Sequence, residues 1–220
     1  MTKKSKYSFR SRKNVMYDFL KDSMHKGELR PGEMIDLDQT AKKLGMSKTP
    51  LREALIMLEA EGLVSLLPWR GVVVNKLTLK DIKDIYQIIG VLESAAIIFA
   101  APRLNKHEIM KMEKINDEMI EASGGDDCDL SFEKYMDFQN VYIKLADNQS
   151  LEDMLGVLKK RLYGFSVPFI KGWEKIAVAE HKELLNFLYQ GQFEKAADYQ
   201  RNKIWNFNIQ IQYIVKDLII

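Results

Sequence analysis

The sequence predicts a mainly α-helical chain in two parts: a short N-terminal head of three helices and a β-hairpin, and a longer all-helical body. Three observations carry this. Apolar residues recur at helical spacing along most of the 220 residues, interrupted by the β-rich runs Leu63–Leu67 and Val72–Asn75. Glycine, proline and Asn/Asp pairs punctuate the periodic stretches at regular intervals. Charge is divided unevenly as well. Residues 1–76 hold 15 Lys and Arg against 9 Asp and Glu, and the remainder 18 against 22, so +6 and −4 give the overall +2. A basic head on an acidic body suggests a polyanion-binding part joined to a part with another task.

In the head, Val15, Met16, Phe19, Leu20 and Met24 predict an amphipathic helix over about 10–26, closed by Gly27 and the Pro31-Gly32 pair. A short second helix runs over 37–44 to Gly45, where the left-handed conformation open to glycine makes a turn. Ser47 is a suitable N-cap for a third helix over 48–61, and Pro50 is tolerated in its first turn. Pro68-Trp69-Arg70-Gly71 joins the two β runs as a hairpin, with Trp69 expected to pack beneath it rather than stack on sugar. The body reads as helices over 79–101, 104–123, 130–146, 148–167, 172–190 and 192–217. A boundary near residue 76 divides domains of 1–76 and 77–220.

Composition removes several function classes. Cys128 is the single cysteine, so no internal disulfide exists; it reads as a spare thiol in a reducing compartment. No apolar run reaches the roughly 18 residues of a membrane span. The best candidate, Ile88 to Ala101, is interrupted by Glu93 and reads as a buried helix. The basic start lacks the apolar stretch of a secretory signal, so a cytoplasmic protein with no membrane partner is expected. No nucleophile elbow, phosphate-binding glycine loop or His-Glu-x-x-His pair is present, so no enzyme is expected.

Three helices and a hairpin, with a glycine turn between the second and third, form the winged helix-turn-helix plan. Leu51, Leu55 and Leu58 would pin the third helix to the core, and Ala41 allows close helix packing. On the opposite face, Ser47, Lys48, Thr49 and Arg52 gather at the helix N-terminus, where free backbone N–H groups favour phosphate. Arg52 is the expected reader of a guanine edge, while Ser47, Lys48 and Thr49 position the backbone. Arg70 at the hairpin tip would reach the minor groove or a phosphate, with Gly71 permitting close approach.

These residues resemble the GntR family of regulators. SKTPLREAL at 47–55, EGLV at 61–64 and RGVVV at 70–74 are the specific part of the likeness. The stretches DIKDIYQIIGVLESAAIIFAA, YMDFQNVYIKLADN and EHKELLNFLYQGQFEKAADYQRNK resemble the FCD type of effector domain, in the FadR-like branch. The resemblance implies a homodimer on a pseudo-palindromic double-stranded DNA operator, whose affinity a small molecule alters; a repressor is expected, and activation stays open because it depends on where the operator lies relative to the promoter. Many FCD domains also hold a divalent metal through one Asp and three His. Those positions correspond here to Tyr135, Gln139, His181 and Lys203, and an accompanying Arg corresponds to Ile89. Only His181 is retained, so no metal and no cofactor are expected.

Tyr135, Gln139, His181 and Lys203 are therefore expected to bind the effector directly, with Lys203 pairing an organic acid where the metal otherwise sits. Two alternatives stay open. Lys203 would extend to solvent and Tyr135 pack in the core, or the chain would be an effector-independent DNA-binding dimer with a degenerate sensor domain.

Overall fold

The computed structural model describes residues 11–124, 128–164 and 173–214. They fall into two units. Residues 11–78 with 157–164 form the head, and 79–156 with 173–214 form the body.

The head opens with α1 (Arg12–His25), capped by Ser11, whose hydroxyl accepts from the Asn14 N–H. Asp36 caps α2 (Leu37–Lys43) by accepting from the N–H groups of Asp38 and Gln39, both at 2.9 Å. Gly45, at φ 60°, then turns the chain into α3 (Lys48–Ala60). Ser47 occupies the N-cap position, but its side chain makes no capping bond, so its hydroxyl is not used on the helix. The apolar face of α3, Leu51, Ala54, Leu55 and Leu58, is buried against Met16, Leu20 and Met24 of α1 and Ala41 of α2. Strands β1 (Val64–Leu67) and β2 (Gly71–Val74) pair antiparallel in the register Val64↔Val74 to Leu67↔Gly71. The segment before α2 adds backbone pairing: Ile35 N–H donates to the Val72 carbonyl at 2.8 Å and Val74 N–H to the Glu33 carbonyl at 2.9 Å.

The last two turns of α7 (Gln149–Tyr163) belong to the head. There Lys160 Nζ lies 2.6 Å from Glu61 Oε1, at the C-terminus of α3, and the Tyr17 hydroxyl donates to the same carboxylate at 2.7 Å. Glu61 is nearly buried, so Tyr17 and Lys160 together satisfy a carboxylate that burial would otherwise penalise. That contact also pushes the Tyr17 phenol well above its ordinary range, through burial first and then the Glu61 charge.

The body comprises α4 (Leu79–Ala100), α5 (Lys106–Gly124), α6 (Cys128–Leu145), the first half of α7, α8 (Trp173–Tyr189), α9 (Phe193–Tyr199) and α10 (Phe207–Ile214). Helix α5 packs on α6 and α8, and α4 on α6 and α9. Among the described residues, no helix is long and apolar enough to cross a membrane. The Cys128 side chain and residues 165–172 lie outside what is described, as does the end of the helix expected over 148–167.

Two expectations need correction. The single helix expected over 192–217 is three pieces: α9, a π-helical turn over Gln200–Ile204, and α10 after a break at Trp205–Asn206. Periodicity favours one helix, but tertiary contacts do not. Gln200 and Trp205 must both reach Glu93, and a wider turn satisfies both. Gly90 of α4 makes room, since a Cβ there would sit 2.9 Å from Trp205 Cβ. Asn206 then starts α10 by accepting from the Asn208 N–H. The second correction concerns Trp69, which is fully exposed rather than packed under the hairpin. Val64, Val72 and Val74 already fill that side, and a left-handed backbone at φ 64° throws the indole outward.

Candidate nucleic-acid interface and buried polar site

The outward face of α3 follows from its inward one. Because residues 51, 54, 55 and 58 are committed to the core, helical geometry turns Lys48, Thr49, Arg52, Glu53 and Ile56 to solvent. Ser47 is exposed at the same end. Arg52 is exposed, and among the described residues no acidic side chain holds it. Lys48 is engaged, with Nζ 2.6 Å from Asp38 Oδ1 across the α2–α3 turn, although both side chains remain largely exposed. The structure thus brings Ser47, Lys48, Thr49 and Arg52 to one helix end whose first N–H groups the Ser47 hydroxyl leaves uncapped. Sequence reasoning overlooked Ile56. It lies one turn beyond Arg52 on the same face and is 57% exposed, an apolar contact of the kind that reads a thymine methyl. Its signal was an isoleucine off the Leu51–Leu55–Leu58 face.

Arg70 and Gly71 lie at the hairpin tip beside Trp69, all three exposed. Arg70 N–H donates to the Leu67 carbonyl at 3.1 Å and closes the turn. Gly71 sits at φ 103°, a conformation side chains resist, and a Cβ there would crowd Met34 Cε at 3.1 Å.

A second cluster is buried in the body. Tyr135 and Gln139 lie one turn apart on α6, both buried, and the Tyr135 ring stacks on His181 of α8 with centroids 5.3 Å apart. Phe138 stacks on the same imidazole at 3.7 Å. Asn116 of α5 orients that ring. Its Nδ2 donates to the Val178 carbonyl at 3.5 Å, so its Oδ1 faces the imidazole and accepts from Nδ1 at 3.0 Å. Burial drives the His181 pKa down to about 3, leaving the ring neutral with its lone pair on Nε2. Beside this, Glu93 of α4 accepts three bonds on Oε2, from the Tyr142 hydroxyl and Trp205 Nε1, both at 2.7 Å, and from Gln200 Nε2. Burial, with Glu93 nearby, raises the phenols of Tyr135 and Tyr142 well above their ordinary range. Lys203 is not in this cluster. It is exposed on the π-helical turn, and its charge acts on Glu180, whose carboxyl burial raises to about 7 against the Gln210 bond and the Lys203 field.

Residues 13–74 match the family described as bacterial regulatory proteins, gntR family, and residues 84–203 match the FCD domain. The chain belongs to the GntR family. It is 30% identical over 141 residues to YdhC of Bacillus subtilis strain 168, described as an uncharacterized HTH-type transcriptional regulator; the match covers 63% of this chain and 62% of that one. It therefore spans about six tenths of that relative's length. In fold it resembles McbR/YncC of Escherichia coli, with a TM-score of 0.73 at 22% identity over 93% of this chain and 98% of that one. A GntR regulator from Rhodococcus sp. RHA1, titled a crystal structure of a putative transcriptional regulator, gives 0.71 at 20% identity over 92% and 98%.

At the positions that correspond to metal ligands in many FCD domains, only His181 is a side chain of the same kind. Among the described residues, no group of three or more His, Cys, Asp or Glu side chains is placed to hold an ion. Of the corresponding positions, His181 is one neutral imidazole, Gln139 is an amide, Tyr135 is a phenol held firmly protonated, and Lys203 lies outside the cluster. Asn116, Glu93, Gln200 and Trp205 complete the buried site instead. Sequence reasoning missed them because they come from α4, α5, the π-helical turn and the break that follows it, at separations no local pattern records.

Proposed function

We propose that this GntR regulator is a cytoplasmic repressor that binds a pseudo-palindromic DNA operator as a homodimer and releases it when a small molecule occupies the metal-free helical domain. Residues 1–76 bind DNA in this reading; residues 77–220 sense and dimerise, with no catalytic step. The observation that carries it is α3, with one face wholly in the head core and Ser47, Lys48, Thr49 and Arg52 presented together at its outer N-terminal end. Arg52 reads a guanine edge, Lys48 exchanges Asp38 for a phosphate, and Arg70 and Trp69 enter the neighbouring minor groove. Dimerisation is supported by an apolar stripe on α4, where Ile88, Val91 and Phe99 are exposed at helical spacing.

A gel shift with DNA upstream of the chain's own gene tests the reading. Arg52→Ala should weaken specific binding by about 1–3 kcal/mol, roughly five- to 150-fold. Loss of a phosphate contact at Lys48 should lower the log–log salt slope by about one. Equal affinity for operator and random DNA in the unmodified protein would refute it.

The effector-independent dimer is favoured by one observation, the close stacking of Phe138 on His181. Thermal shift and operator release against a metabolite panel separate the two, since a ligand at about 100 times its Kd stabilises by about 2.7 kcal/mol.

A further inference from the structure

Around Glu93 and the imidazole, the donors of Tyr142, Gln200, Trp205 and His181 are spent. Tyr142, Gln200 and Trp205 all direct theirs at Glu93 Oε2, and Gln200 Nε2 also donates to the Tyr142 oxygen at 3.0 Å. His181 gives its one N–H to Asn116, which Val178 holds in place. What these bonds leave over are acceptors. His181 Nε2 and Gln200 Oε1 are both buried with no hydrogen-bond partner among the described residues. Each residue is 1% exposed, so bulk water does not compensate them, and a buried acceptor without a donor is costly. The two lie in one neighbourhood. Tyr135 stacks on His181 and is also under the field of Glu93, the carboxylate that Gln200 contacts.

We propose that this site takes a small ligand presenting N–H or O–H donors, an amide, amine or polyol, and does not take a free carboxylate. The assignment rests on the effector reading above and replaces the organic acid expected from Lys203. A carboxylate would bring acceptors to acceptors and a negative charge toward Glu93, with Lys203 outside on the surface. A donor ligand supplies what His181 Nε2 and Gln200 Oε1 lack. The rings of Phe138 and Tyr135 flanking the imidazole would hold its apolar part.

The test uses the full chain labelled with 15N, following the His181 Nε2 resonance and the unfolding temperature reported by Trp173 and Trp205 fluorescence. Matched probes are nicotinamide and nicotinate, glucitol and gluconate, and 1,4-diaminobutane and succinate. At least one of nicotinamide, glucitol and diaminobutane should move the Nε2 resonance and raise the unfolding temperature. The rise in unfolding temperature should vanish in His181→Phe, which keeps a ring in the stack but lacks the Nε2 acceptor. If the carboxylates move that resonance instead, the ligand class assigned here falls and the effector reading stands. If no probe moves it, the proposal falls too. The effector reading falls with it only if the wider metabolite panel also leaves the operator complex intact.

Discussion

Glu180→Gln should stabilise the helical body at pH 8 and leave it unchanged near pH 4. Glu180 is buried on α8, accepts from Gln210 Nε2 at 3.0 Å, and has its carboxyl raised from 4.5 to about 7 by burial, with Gln210 and Lys203 opposing. The folded state therefore holds this proton more tightly than the unfolded chain. Its contribution is fully present below pH 4.5 and is lost as pH rises through about 7. At about 1.4 kcal/mol per pH unit, the loss amounts to about 3 kcal/mol by pH 8. Glutamine keeps the acceptor for Gln210 and removes the titration, so the variant should gain up to that amount. His181 works in the opposite sense. Burial lowers it from 6.5 to about 3, so its contribution is present above pH 6.5 and drains away as pH falls toward 3. Between about pH 4.5 and 6.5 the two slopes nearly cancel, and the unmodified body should show a flat profile. Glu180→Gln should expose the His181 slope as a steady loss toward acid. Urea unfolding at pH 4 to 8, followed through buried Trp173 and Trp205, reads this out. Parallel profiles for the two proteins would refute the argument.

Other expectations follow from the same contacts. Asp38→Asn should tighten operator binding up to about fivefold, because Lys48 no longer surrenders an exposed ion pair worth about 0–1 kcal/mol; fluorescence anisotropy checks it. Tyr17→Phe should destabilise the head by about 1–2 kcal/mol, since Glu61 loses a charge-assisted bond, and thermal unfolding by circular dichroism should show a Tm a few degrees lower. If the exposed α4 stripe forms the proposed dimer, Val91→Glu should sediment as a monomer where the unmodified protein sediments as a dimer, with helix content unchanged.

Most of the head was legible without coordinates. Gly45, Pro50, Gly62 and Gly71 mark boundaries through backbone restrictions that act locally, and the spacing of Leu51, Leu55 and Leu58 assigned one face of α3 to the core. With that face assigned, Lys48, Thr49 and Arg52 had to point outward. The buried site was half legible. Tyr135, Gln139 and His181 come together as expected, because a helical turn on α6 and one position on α8 are robust to small errors in spacing. Lys203 does not join them. It lies within the π-helical turn itself, whose wider spacing shifts its residues out of the register that α-helical periodicity assigns them.

Local chemistry, then, was enough to settle which segments are helices, where most of them stop, and which side of the third one meets solvent. Each of those depends on residues within a few positions of one another. Long-range contact was needed for the rest: that Asn116 fixes the His181 tautomer, that Glu93 draws Gln200 and Trp205 onto one oxygen across more than 100 residues, and that Lys160 meets Glu61. Burial strips water from these polar groups, so their partners are dictated by which helices happen to lie alongside, and no periodicity in the chain encodes that.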